Sequence, residues 1–345
     1  MIWSIWSGIS KEVFFKDFQE FKRKKNTKKI VNDTYLTIEN LLKFSNKRKK
    51  KLVSLDQINN YHDVEYFIFF DMPNFNDDLL KKIKKFKKKF ILITTEAKEI
   101  HPQNFDIKLY KYFKYIFTYN DRYIDNKKIF YYHFGVSRPK NFKKVKKNKF
   151  LCMISSNRII NYNVSLYPLR LKIIKWFEKN ISHDFDLYGQ GWERKLIYSK
   201  LKIFRALNRI NFLSLILKNN FKNYKGEIKP FLKSKFSILK KYKFSFIIEN
   251  FNTTNGWITE KIFHCFFCDV IPIYLGPSNI SKYIPKNCYI DFNHFKSLDE
   301  LYIFIKNLDL KKRNKLLRNK NIFLKSKNFK RFDIKSGFSI IKKLL

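Results

Sequence analysis

The chain has 345 residues, 45 % hydrophobic and 18 % aromatic, so disorder is excluded as the default and two domains of about 150 residues are expected. Its 73 Lys and Arg against 29 Asp and Glu leave +44, a field that attracts polyanions, but with 8 Gly and no RGG, zinc-finger or RNP-like pattern, specific nucleic-acid readout is not expected. Four scattered cysteines exclude a disulfide scaffold. Cys265 and Cys268 form a CxxC within a helical pattern, without a second pair at zinc spacing, and are read as core packing.

Met1–Ser10 has no basic start and no useful apolar run, so no signal peptide is expected. Nowhere do 18 consecutive apolar residues occur. The expected location is the cytoplasm or the cytoplasmic face of a membrane. Residues 1–60 carry little pattern beyond a strand and then a helix over Val31–Leu42. From there, short apolar runs alternate with longer mixed ones. Tyr66–Phe70, Phe90–Thr94, Tyr115–Thr118 and Phe130–Phe134 read as buried strands. Between the first two, Asp77–Lys89 places Leu79, Leu80, Ile83 and Phe86 at helical spacing. This alternation predicts a parallel α/β sheet.

Lys140–Lys149 is basic, follows Pro139 and reads as a linker. The alternation then restarts. Strands are expected at Phe150–Ser155, Asp184–Tyr188, Phe244–Glu249, Val270–Leu275 and Tyr289–Phe292. Helices are expected at Pro168–Asn180, Ile197–Lys222, Phe231–Tyr242, Leu298–Leu308 and Lys311–Leu324. The expected domains are 1–145 and 146–325, with a basic tail at 326–345. Two such halves make a cleft between Rossmann-like domains, with ligands at the carboxyl ends of strands.

Phe244–Gly276 reads FSFIIENFNTTNGWITEKIFHCFFCDVIPIYLG: strand, polar loop, helix opening near Ile258, strand. A nucleoside diphosphate needs such a helix N-terminus, whose N–H groups hold phosphate oxygens. Lys261 adds a full charge in the first turn. Glu260 can accept hydrogen bonds from both ribose hydroxyls. Asn250, at the strand end, can bond a base or ribose edge. Thr259 can cap the helix or touch a phosphate, and Trp257 offers a flat face to a base or sugar. On composition alone, Glu260 and Lys261 are equally readable as surface helix residues.

The same string resembles the donor-binding signature of the α-1,3/1,4-fucosyltransferases, glycosyltransferase family 10. Glu249-Asn250, Trp257, Thr259-Glu260-Lys261 and Ile271-Pro272-Ile273-Tyr274-Leu275-Gly276 match it in order and spacing. The family usually carries Tyr where Trp257 stands; the indole keeps a stacking face but has no phenol to bond a phosphate. Phe150–Asn157 followed by Arg170 resembles the start of the family's donor domain, and Asp186-Leu187-Tyr188-Gly189 resembles a turn within it. A bidentate Arg170 suits a diphosphate better than another Lys, which makes it the second phosphate ligand; a surface arginine is the competing reading. Phe90–Glu96 resembles the strand that delivers the family's general base, which makes Glu96 the candidate, with Glu99 competing.

The resemblance implies a GT-B type fold, two Rossmann-like domains facing a central cleft. It implies inverting transfer of L-fucose from GDP-fucose to a hydroxyl of an N-acetylglucosamine- or glucose-containing glycan, α-1,3 linkage favoured, with cell-surface polysaccharide the expected destination. No metal and no further cofactor is expected, since side-chain cations and a helix terminus would do a metal's work. For Lys311–Leu345 two readings stand: peripheral contact with an anionic membrane, or packing back onto the first domain. Two rival functions stand as well: an inverting transferase using another nucleotide sugar, and a basic nucleic-acid- or membrane-binding protein. The second explains +44 but not the ordered motif.

Overall fold

The computed structural model describes residues 1–7, 33–133, 135–139, 145–160, 163–199, 201–209, 218–228 and 232–345. Two compact units emerge: residues 1–137 with 330–345, and residues 138–329.

The first unit holds a six-stranded parallel sheet of β1 (Ile2–Ser7), β2 (Lys51–Ser54), β3 (Val64–Phe70), β4 (Phe90–Ile93), β5 (Tyr115–Thr118) and β6 (Ile129–Tyr131), in the order β2-β1-β3-β4-β5-β6. The strands are apolar on both faces because both faces are covered. In β3, Ile68 and Phe70 enter one core with Trp3, Ile5 and Ile91. Phe67 and Phe69 enter the other with Leu80, Ile83 and Phe113. Helix α1 (Asp33–Lys47) contributes Ile38, Leu41 and Phe44 to the first core. The helix expected over 77–89 is split. Asp77 caps α2 (Asp78–Ile83) by accepting from the Leu79 N–H at 3.1 Å, and Lys84–Lys89 continues as a 3₁₀ segment.

The C-terminal segment belongs to this unit. Helix α10 (Ile334–Leu344) buries Phe338 and Ile341 against α1, and Val136 bridges to Asp333. This corrects the separate tail expected at 326–345: its apolar residues complete a core.

The second unit holds a five-stranded parallel sheet of β7 (Lys149–Ile154), β8 (Phe185–Tyr188), β9 (Tyr242–Ile248), β10 (Ile271–Leu275) and β11 (Ile290–Asp291), in the order β11-β10-β9-β7-β8. One face packs on α3 (Tyr167–Asn180) through Ile173, Ile174 and Phe177, and on α7 (Leu298–Lys306) through Leu301 and Ile305. The basic stretch after β8, expected as one helix over Ile197–Lys222, contains the short helix α4 (Lys202–Ala206), while 210–217 lie outside the described residues, as do Phe134, 140–144 and Phe231. Helices α5 (Leu232–Leu239), α6 (Glu260–Phe267), α8 (Leu310–Lys325) and α9 (Lys327–Lys330) complete the unit's described helices, α9 reaching the boundary at Lys330.

The two sheets share one plan. In each, the first strand has the second on one side and the third on the other, and the rest follow outward from the third. The chain therefore reverses direction across the sheet between β1 and β3, and between β7 and β9. Ligands bind outside the carboxyl ends of strands at such reversals.

Candidate donor site

In the second unit, β9 and β10 end level, with Ile248 beside Leu275. The Glu249 N–H donates to the Leu275 carbonyl at 2.8 Å. Glu249 and Gly276 are thus the first residues past the strand ends. Gly276 stands where a side chain would not fit: an added Cβ would lie 2.3 Å from the Tyr274 hydroxyl and 2.9 Å from Glu249 Cγ.

The loop after Glu249 turns through Gly256 at φ +76, a left-handed conformation that glycine adopts without a Cβ penalty. The Gly256 N–H is held by Asn279 Oδ1 at 3.0 Å. Helix α6 then opens at Glu260, later than the Ile258 start expected. The Ile258 N–H is taken by the Gly256 carbonyl, and Thr259 is extended. Thr259 holds the cap position but makes no capping bond with its side chain. Its hydroxyl lies 2.9 and 2.7 Å from the two Glu249 carboxylate oxygens, and its N–H donates to Oε1 at 3.0 Å. Lys261 Nζ donates to Glu249 Oε2 at 2.9 Å and to Thr259 Oγ1 at 2.9 Å. The Tyr274 hydroxyl reaches Glu249 from the far side at 3.4 Å.

Arg170, on α3, was equally readable as a surface residue; it is 4 % exposed. Its guanidinium donates to the Ile248 carbonyl, and to Asn250 Oδ1 at 3.0 Å. It also lies over the Tyr167 ring, 4.5 Å from the centroid. Among the described residues no carboxylate lies within ion-pair distance of it. Burial draws the guanidinium below its usual value, against the fields of Tyr167 and Glu249, but an arginine stays charged in a protein. A buried cation with neutral partners is poised for an anion.

The other expected residues fall as follows. Asn250 is tied down twice, its side chain by Arg170 and its carbonyl by the Leu166 N–H at 2.8 Å. Trp257 is 6 % exposed and packs against Phe251 with ring centroids 6.0 Å apart. Its ring is therefore largely covered rather than presented flat. Glu260 faces Lys235 at 3.7 Å. Burial opposes its ionisation, but Lys261, Lys235 and His264 outweigh burial and hold its carboxyl at about 2. Lys261 shows the same balance: burial lowers it, and Glu249 and Glu260 more than restore it. Arg170 with Asn250, and Glu249 with Thr259 and Lys261, thus form two hydrogen-bonded groups that adjoin at Glu249-Asn250, past the end of β9 and beside the β7/β9 reversal. Asn157, in the matched turn after β7, donates to the Gly191 and Arg194 carbonyls at 2.8 and 2.7 Å.

Glu96 belongs to the first unit, three residues past β4, and is partly buried. Reading the sequence missed what holds it. Asp71, just past β3, has φ +64 and is 4 % exposed. Its Oδ1 accepts from the Thr95 N–H at 2.6 Å, the Glu96 N–H at 3.0 Å and the Asn104 amide at 2.6 Å. The Tyr119 hydroxyl donates to the Glu96 carbonyl at 2.8 Å. The available signal was an Asp directly after an apolar strand run, where a parallel sheet places site residues.

All four thiols are free and buried, and burial pushes Cys152 and Cys268 up to about 12. No group of three His, Cys, Asp or Glu that could hold a metal lies among the described residues. No described helix is long and apolar enough to cross a membrane.

Two parallel-sheet Rossmann-like units, one with a cation cluster at its strand reversal, define the GT-B glycosyltransferase fold class. A solved structure of an alpha1,3-fucosyltransferase superposes with a TM-score of 0.53 at 14 % identity, covering 99 % of this chain and 89 % of that one. A structure of an alpha1,3-fucosyltransferase with GDP gives 0.51 at 14 % identity over the same shares. The profile of Glycosyltransferase family 10 (fucosyltransferase) C-term matches residues 144–318, and the chain belongs to that family. An Alpha-(1,4)-fucosyltransferase of Arabidopsis thaliana is 37 % identical over 67 residues, 19 % of this chain and 16 % of the relative. An Alpha-(1,3)-fucosyltransferase of Helicobacter pylori is 35 % identical over 77 residues, 22 % and 16 % of the two chains. The matched segments thus span about a sixth of these relatives' lengths.

Proposed function

We propose that this protein is an inverting fucosyltransferase. It transfers L-fucose from GDP-fucose to a hydroxyl of an N-acetylglucosamine- or glucose-containing glycan, with α-1,3 linkage favoured, in the building of a cell-surface polysaccharide. The observation that carries the reading is Arg170: a buried cation, bonded only to neutral groups in the described structure, at the strand reversal of a family 10 domain. GDP supplies the anion such a site lacks, and the solved alpha1,3-fucosyltransferase of the same fold has been seen with GDP.

The reaction is a single displacement. Glu96 takes the proton of the acceptor hydroxyl. The oxygen attacks C1 of fucose, the C1–O bond to phosphate breaks, and GDP leaves with the electron pair. Arg170 and Lys261 neutralise the charge that grows on the diphosphate, so the reaction requires no metal. Each donor aimed at developing charge contributes about 3 kcal/mol in the transition state.

The test is transfer from GDP-fucose, GDP-mannose and UDP-sugars to N-acetyllactosamine and glucose acceptors, with Arg170→Ala and Glu96→Ala beside wild type. Activity with GDP-fucose that falls about 100-fold in Arg170→Ala is expected. Transfer from a UDP-sugar alone would replace the donor. An undiminished rate in Glu96→Ala would remove the base while leaving the donor site standing.

A further inference from the structure

We propose that Glu249 is a positioning residue: it holds the Lys261 ammonium, carried on the first turn of α6, in place for a diphosphate and does not touch the donor itself. This rests on the diphosphate reading above. Glu249 is the first of the matched motif residues, where a direct role in binding is the natural first reading. Its surroundings argue otherwise. The side chain has no exposed surface, whereas Lys261 keeps 27 % of its own.

The carboxylate is also fully engaged. It accepts from the Thr259 N–H, the Thr259 hydroxyl, the Lys261 ammonium and the Tyr274 hydroxyl. Those donors come from the loop, from the first turn of α6 and from β10. One carboxylate therefore fixes three elements relative to the end of β9. Gly276 keeps the space for it, since a Cβ there would press on Tyr274 and Glu249 together. The exposed side of Lys261 is the side left for a ligand.

Charge points the same way. The groups that face Lys261 are Glu249 and Glu260, which favour its charged form, and Arg170, which opposes it. Lys235 and His264 act on Glu260 in turn. With Glu249 neutralised, Lys261 keeps its burial and the Arg170 field but only one carboxylate. Its ammonium then gives up its proton at lower pH.

The test is calorimetric GDP binding to the full chain from pH 6 to 10, in a double-mutant cycle of Glu249→Gln and Lys261→Met. Glu249→Gln alone should weaken GDP about tenfold or more, and its loss of affinity at high pH should begin at lower pH than in wild type. In the Lys261→Met background, Glu249→Gln should weaken GDP no further. Losses that add across the cycle overturn the proposal, because a ligand contact or a general loosening of the fold acts without Lys261. GDP affinity equal to wild type in Glu249→Gln overturns it too. A wild-type protein that binds no GDP overturns the donor reading, and this proposal with it. If Glu249→Gln does not fold, Thr259→Val at its partly exposed position breaks the same network. A several-fold loss is then expected, again absent beside Lys261→Met, and an additive loss overturns the proposal.

Discussion

Glu260 carries a measurable signature of its position between two lysines. Its carboxyl sits at about 2, against an ordinary 4.5. A carboxyl depressed by folding stabilises the native state above its unfolded value, and that contribution disappears as pH falls from about 4.5 through about 2. The side chain is 26 % exposed, so an order of 1–3 kcal/mol is expected. Wild type should therefore lose stability between pH 4.5 and 2 faster than Glu260→Gln, in urea melts taken at each pH. Equal slopes would mean that Lys235 and Lys261 do not act on Glu260. This residue was legible in the sequence as a first-turn acid. Its tie to Lys235 was not, because α5 begins 28 positions before α6 and only the fold brings them together.

Gly276 shows what an element needs from one position. The level ends of β9 and β10 bring Glu249, Tyr274 and residue 276 into one small space. Gly276→Ala should cost about 1–3 kcal/mol as overpacking, seen as a lower urea midpoint. Adding Tyr274→Phe removes the nearest atom and should recover part of that loss. No recovery would leave the strain with the ring Cζ at 2.6 Å and the Glu249 Cγ at 2.9 Å. The strand–loop–helix–strand unit around this glycine was readable because its motif is long and its contacts are local. Strand β1 was not readable. It has six residues, and its partners are Lys51–Ser54 and Val64–Phe70, some 50 positions or more away. Trp3, Ile5 and Trp6 are buried, yet the run is short and its pairing partners lie far along the chain. Asp71 was missed for a similar reason: its donors sit past β4, 24 to 33 positions on.

At the scale of the molecule, the basic, apolar stretch Lys311–Leu345 divides: 311–329 belongs to the second unit, and 330–345 packs on the first. Amphipathic helices suit a bilayer surface or a protein core equally well in sequence; what separates them is whether the apolar face already has a partner. For α10 it has one: Phe338 is 2 % and Ile341 0 % exposed, and Phe338 meets Phe44 edge to face with centroids 6.1 Å apart. Phe44 in turn packs on Trp3 of β1, so the last helix of the chain seals the strand that starts it. Phe338→Ala should then cost about 3–5 kcal/mol, lowering the first unit's melting by an order of 10 °C. Binding to anionic vesicles should be unaltered, since that face is not available to lipid. The second unit draws its core from other residues, so GDP should still raise its melting temperature by the wild-type amount in this variant. A calorimetric scan with and without GDP resolves both effects. A Phe338→Ala protein that melts like wild type but binds vesicles less would return α10 to the membrane.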